Sequence, residues 1–296
     1  MDDSHDHDRP DDRDRPDRTG DTGGTISDVT TAGRSAGPGT ATGTRPGDGP
    51  SIGGDGWRIT RLSLRAAERE LMVWRRTIRT SIFSSFVEPL LYLGAMGIGL
   101  GGLVDENTGD LVLRSGATVS YLDFVAPGLL VASTLLTFGA ESLWGMMAGI
   151  KWMGQFRAMA HTAMSPGDIY TGRVLAAGAR AAVAATGFVI VAALLGAVDS
   201  PWGVLAIPVA VLTGIATVSA LAAYSSGKDD DYTFPLITRL GMFPLFLLSG
   251  TFFPVEQLPD GVQPVVWLSP LFHAAELARM ATTGVATAWG FLHLAV

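Results

Sequence analysis

The chain has no cysteine. That absence excludes a disulfide framework, a thiolate metal site and a cysteine nucleophile. Charge is scarce as well, at 17% against 47% hydrophobic residues over 296 positions, and the mean hydropathy is +0.30. This is the balance of a membrane protein rather than of a soluble enzyme. The amino terminus, "MDDSHDHDRP", is charged where the apolar core of a signal peptide would stand, so membrane entry is expected through internal, uncleaved spans. The nucleotide-binding pattern G-x-x-x-x-G-K-[ST] is missing: Gly227-Lys228 is followed by Asp229, and Ala222 stands where the first glycine belongs. There is no H-E-x-x-H, since His273 and Glu276 are only i and i+3 neighbours.

What charge there is lies unevenly. Residues 1–56 hold twelve Asp and six Arg and carry most of the net −7, with almost no large apolar side chains. Such a segment cannot bury enough surface to offset its ordering entropy, so it reads as a disordered acidic tail. Its "HDHD" at 5–8 could hold a metal loosely or be inert. From Trp57 to Thr80 the character reverses. Leu64, Ala67, Leu71, Trp74 and Ile78 recur at helical spacing among seven Arg, including Arg61, Arg65, Arg75 and Arg76, against two Glu. An amphipathic helix at a membrane interface fits, its apolar stripe in the acyl boundary and its guanidiniums on anionic headgroups. A soluble surface helix is the alternative. The direct continuation into an apolar run makes lipid, not nucleic acid, the expected partner.

Crossing about 30 Å of hydrocarbon takes ~20 apolar residues. Five runs qualify: 82–103, 124–148, 174–198, 203–223 and 234–253. A sixth, 285–296, is too short and reads as an incomplete span. The expected class is therefore an all-α polytopic membrane protein, with its transmembrane body at 81–296. Lys and Arg in 57–80 and in the 149–173 connection place those segments, and the amino terminus, on the cytoplasmic side. Glu88, Glu141, Arg180 and Arg239 then lie at a common depth, about 8–10 Å below the cytoplasmic surface at 1.5 Å per residue. Sharing a depth would let the two Glu face the two Arg, which lowers the cost of holding charge in lipid; snorkelling Arg with cavity-facing Glu is the alternative.

After the fifth run the chain becomes too broken for a helix and too apolar for an ordinary loop. Pro254, Pro259, Pro264 and Pro270 interrupt Val262, Val265, Val266, Trp267 and Leu268. Ser249 and His273 could in principle form a hydrolytic pair of an intramembrane serine hydrolase, although Leu247 stands where such enzymes carry a glycine. Ser249 beside Gly250 also fits simple helix packing.

"LFLLSGTFFPVEQLP" (245–259), "WLSPLFHAAELAR" (267–279) and "SPGDIYTGRVL" (165–175) together resemble the membrane subunit of type-2 ABC transporters, in the branch of drug-resistance and lipooligosaccharide exporters. The resemblance covers roughly 57–296, and the long acidic tail and short last span depart from it. It implies a type-2 ABC exporter fold with an interfacial helix, six spans and a re-entrant element between spans five and six. Ser249, Gly250, Phe253, Pro254, Glu256 and Pro259 would form an outer gate, with Val265–Leu268 as its buried face. A short cytoplasmic helix would offer Trp152, Phe156 and Met159 as an apolar ridge, flanked by Lys151 and Arg157, to a groove on an ABC ATPase subunit. The resemblance further implies a bacterial plasma-membrane location, a second permease subunit (identical or paralogous), and ATP and Mg bound only by the ATPase. This chain itself would hold no cofactor and perform no catalysis.

Overall fold

The computed structural model describes residues 59–102, 111–112, 118–285, 290 and 293, without the side chains of Glu88 and several of its neighbours in the first span. The tail 1–56, Trp57 and most of the run 285–296 lie outside the described residues. Helix α1 (Arg61–Arg76) meets α2 (Ile78–Leu93) across a one-residue break at Thr77, and α2 continues through π-helical Gly94–Leu100. Helix α3 (Tyr121–Met147) runs on into π-helical Ala148–Trp152 and the short α4 (Gln155–Ala160). Then come α5 (Pro166–Leu194), a 3-10 turn Pro201–Leu205 and α6 (Ala206–Ser226). Helix α7 (Phe234–Leu248) has a π-helical middle, Ile237–Met242. The segment after it folds as a 3-10 turn at Val255–Gln257, α8 (Gln263–Trp267) and α9 (Pro270–Thr283).

Three helical stretches among the described residues are long and apolar enough to cross a membrane: Tyr121–Trp152, Pro166–Leu194 and Pro201–Ser226; Phe234–Leu248 is a shorter apolar helix. Two boundaries differ from expectation for a local reason. Ser165 and Ser120 each close a capping box with an Asp three residues on, Asp168 and Asp123. Each serine hydroxyl takes a free N–H of the first turn while the carboxylate reaches back to the serine N–H. The third span therefore begins at Pro166, and the connection before it shrinks to a few residues around α4. The helix expected as the fifth span stops at Leu248, because Gly250 turns the chain with φ +70, a conformation that costs glycine little. A further departure is a two-stranded antiparallel hairpin between the first two spans, β1 (Leu111–Val112) with β2 (Thr118–Val119), in the register Leu111↔Val119.

Helices α3, α5 and α6 pack on one another, α1 lies along α5, and α9 lies across α3 and α6. The main core joins Phe124, Leu129, Leu130, Phe188, Phe246 and Leu271. A second, near α4, joins Phe138, Met146, Phe156, Ile169 and Val218.

Candidate coupling and gate sites

At the end of the molecule that holds α1 and α4, the helix termini are tied together. Thr60 caps α1 through a capping box with Ser63, and its hydroxyl also donates to the Asp168 carboxylate at the start of α5. The face of α1 that meets α5 is small: Ser63, Ala66 and Ala67 are buried, and a Cβ on Gly172 of α5 would stand 2.5 Å from the Ala66 Cβ. The Arg69 guanidinium donates to Gln155 Oε1 of α4 at 2.9 Å. Leu64 and Met72 stay exposed, as do Arg61, Arg65, Arg75 and Arg76, while Leu71 and Trp74 are half-buried. The helix thus presents small residues to the protein and large apolar ones to its surroundings.

The expected ridge on α4 does not form an outward face. Phe156 is buried, its ring so close to Gly149 that a Cβ there would come within 2.2 Å of it, and Met159 packs on the same core. Only Trp152 of the three points outward, 61% exposed, with Met153 beside it at 66%. Gly154, with φ 65, reverses the chain between the π-helical turn and α4 and so puts the two apolar groups on opposite sides. Arg157 is exposed. Lys151 Nζ reaches Asp229 Oδ1 in the connection between α6 and α7 at 2.6 Å.

Of the four charges expected within the membrane, Glu141 and Arg180 are brought together, NH2 to Oε1 at 2.5 Å, with the guanidinium 5.7 Å from the Phe138 ring centroid. Arg239 is exposed on α7 and makes no ion pair among the described residues; the Glu88 side chain lies outside them. Sequence reasoning counted Arg173 only as a cytoplasmic charge, yet it is buried. Its NH2 donates to the Glu141 carbonyl at 3.1 Å, and its NH1 stands 3.6 Å from Glu70 Oε2.

At the opposite end, Ser249, Thr251, Ser269 and His273 are buried. Phe253 and Pro254 are half-buried; Glu256 and Pro259 are exposed. Ser249 and Ser269 share a hydroxyl hydrogen bond of 3.1 Å. The His273 ring is engaged at both nitrogens: Nε2–H donates to the Trp267 carbonyl at 2.8 Å, and Nδ1 meets His293 Nδ1 at 2.7 Å. Ser249 and His273 are thus each bonded to other partners, and no hydrogen bond joins the two among the described residues. The buried face also differs from expectation. Val255, Val266 and Phe272 form a small core of their own, whereas Val265, Trp267 and Leu268 are exposed, because in the short α8 only one residue in that run can turn inward. Arg279, the last residue of the "SPLFHAAELAR" stretch, organises this end. It is 2% exposed, its Nε donates to the Phe124 carbonyl at 3.1 Å and its NH2 to the Gly250 carbonyl at 2.8 Å. Glu276 pairs with its NH1, and the Phe124 ring centroid lies 4.0 Å from its Cζ. The sequence signal was the motif; its geometric reason is this clamp.

A family profile described as "ABC-2 type transporter" matches residues 64–282. The chain is 31% identical over 229 residues to nodulation protein J of Rhizobium leguminosarum bv. viciae, covering 77% of this chain and 85% of that protein. It is 31% identical over 211 residues to nodulation protein J of Rhizobium meliloti, covering 71% and 77%. With nodulation protein J of Sinorhizobium fredii the identity is 32% over 214 residues, covering 72% and 78%. No solved structure matches.

Proposed function

Because this chain belongs to the ABC-2 type transporter family, we propose that it is the membrane subunit of an ATP-driven exporter whose ATPase is a separate polypeptide. The observation that supports this best is the reach of the family match, 64–282, which takes in α1, α4, the spans and the outer segment through Arg279. In this reading the end with α1 and α4 faces the bacterial cytoplasm, and the segment from Ser249 to Thr283 is a re-entrant gate in the outer leaflet. Two such subunits, identical or paralogous, enclose the pathway. Each recruits one ATPase through the exposed Trp152, Met153 and Arg157 rather than through Phe156. The cargo is a drug, antibiotic, lipid or lipid-linked glycan, and ATP with its Mg binds only to the partner. The exposed arginines of α1 rest on anionic lipid headgroups.

ATP binding draws the ATPases together, hydrolysis releases them, and the permeases alternate between inward- and outward-open states. Direction follows from the different affinities of cargo and nucleotide for those states. The chain supplies no catalytic step. Reconstituted alone in vesicles it moves nothing uphill; with its ATPase it supports ATP-dependent transport, and Ser249→Ala changes neither result. Active pumping, or peptide cleavage, by the isolated chain overturns the reading.

A further inference from the structure

Four elements converge on Arg173, a buried charge that neither the Glu141–Arg180 pair nor the outer clamp uses. Its stem rises from α5. Glu70 of α1 stands 3.6 Å away, the Glu141 carbonyl of α3 accepts from NH2 at 3.1 Å, and the Phe156 ring of α4 lies 5.8 Å from Cζ. Two glycines keep the space open. A Cβ at Gly145 would stand 2.3 Å from NH2, and one at Gly149 would strike the Phe156 ring. Yet the guanidinium is incompletely held. The contact with Glu70 is an ion pair too long to be a hydrogen bond, and Nε is buried without a hydrogen-bond partner. Five donors in a fixed fork, only partly satisfied, suit a group that re-aims when its neighbours shift.

We propose that Arg173 is the positioning residue that makes α1, α3 and α4 move together when the ATPase acts. It holds Phe156 of the ATPase-facing helix and Glu70 of the interfacial helix against the second span. That span runs on to Phe124, where Arg279 holds the outer segment. Displacement of α4 therefore reaches α1 and the second span through one guanidinium. The inference rests on the transport reading above.

The cysteine-free sequence gives the test a clean background. Thr251→Cys places one thiol at a fully buried outer position, and a membrane-impermeant maleimide reports its opening in vesicles that hold the complex with its ATPase. ATP is expected to raise labelling in this parent; if it does not, the transport reading fails and this inference falls with it. Adding Arg173→Ala is expected to leave ATP hydrolysis running while ATP-driven labelling drops at least about fivefold, the lower end of typical coupling between sites. Gly145→Ala, which displaces the guanidinium without removing it, lowers labelling in the same direction, and Arg173→Lys restores part of the response. The proposal is overturned if Arg173→Ala and Gly145→Ala both label like the parent. It is equally overturned if labelling is lost only in proportion to lost ATPase co-purification, with Arg173→Lys no better than Arg173→Ala, because that is a purely structural role.

Discussion

Two buried arginines from other helices grip the second span, Arg279 of α9 at one end and Arg173 of α5 at the other, and they are held differently. In the orientation proposed above Arg279 lies at the outer end and Arg173 at the inner; Arg279 has a partner for every nitrogen, the Phe124 and Gly250 carbonyls and the Glu276 carboxylate. At the inner end Arg173 has one ordinary hydrogen bond, one long ion pair and an unpartnered Nε. The two sites lie about 26 Å apart along the helix at 1.5 Å per residue. A buried charge with every nitrogen engaged resists rearrangement, because breaking any one bond leaves a buried polar group without its partner. A partly satisfied one has less to lose. At rest the outer segment is thus the more firmly fastened to the second span, and the looser packing lies beside α1 and α4, where the proposed ATPase would push.

The sharpest way to break this comparison is to remove each arginine in turn. Arg279→Ala strips two buried carbonyls of their donor and leaves the half-buried Glu276 without its cation, a loss of about 3–5 kcal/mol. Arg173→Ala removes one carbonyl bond and a long ion pair, and also removes an unsatisfied donor, so about 1–3 kcal/mol is expected. Unfolding midpoints in detergent measure both. If Arg173→Ala proves the more damaging, the inner site is the rigid one and the comparison is inverted.

Glycine substitutions sharpen the same point at lower cost. A Cβ on Gly128 would meet the Thr251 backbone at 3.0 Å, whereas a Cβ on Gly145 meets only the mobile end of Arg173. Backbone cannot step aside as a side-chain tip can, so Gly128→Ala is expected to destabilise by about 1–3 kcal/mol. Gly145→Ala should stay under about 1 kcal/mol in stability while still disturbing coupling. Equal stability losses for the two would show that the inner pocket is as tightly built as the outer.

Beside the inner site, on the same residue whose carbonyl Arg173 holds, lies the pair Glu141–Arg180. Arg180→Ala leaves the carboxylate facing an apolar surround, with an expected loss of about 1–2 kcal/mol. Exchanging the two residues should recover most of it. If the exchanged protein is no more stable than the single variant, the attraction between the two side chains matters little.

The Glu141–Arg180 contact was legible because it depends only on helix depth, which follows from counting residues from span starts. The amphipathic α1 was legible for a similarly local reason, arginine spacing; the turn after Leu248 was not, because the apolar run continues to Phe253 past the glycine that breaks the helix. The start of the third span was written in Ser165-Pro166-Gly167-Asp168, a capping box that a hydropathy count passes over. The two arginine sites were not legible as sites. Whether Arg173 is buried depends on Gly145 and Gly149 leaving room on another helix, and whether Phe156 faces in or out depends on the reversal at Gly154. Helical spacing finds a stripe but does not say which neighbour covers it, so the ridge of Trp152, Phe156 and Met159 reads as a docking face although two of its three members pack inward. The same limit explains the outer segment, where Val266 alone of Val265–Leu268 is buried.

The smallest expected effect concerns how the inner end is braced. Lys151 holds Asp229 of the next connection at 2.6 Å, and this hydrogen bond, reinforced by the lysine's charge, keeps the Asp229 carboxyl below its ordinary value. A carboxyl depressed in the folded state favours that state above its unfolded pKa of about 3.9 and loses the contribution as pH falls through the lower folded value. The brace is therefore intact at neutral pH and lets go only in acid below about pH 4. Asp229 is highly exposed, so salt screens the contact and its effect on global stability is slight. A spin label on Asp230→Cys should be restrained at pH 7, freed on acidification, and already freed at pH 7 by Lys151→Gln or by about 1 M salt. A label as restrained in Lys151→Gln as in the parent would mean that the two connections are held by their helices alone. The looseness of the inner end would then be confined to Arg173.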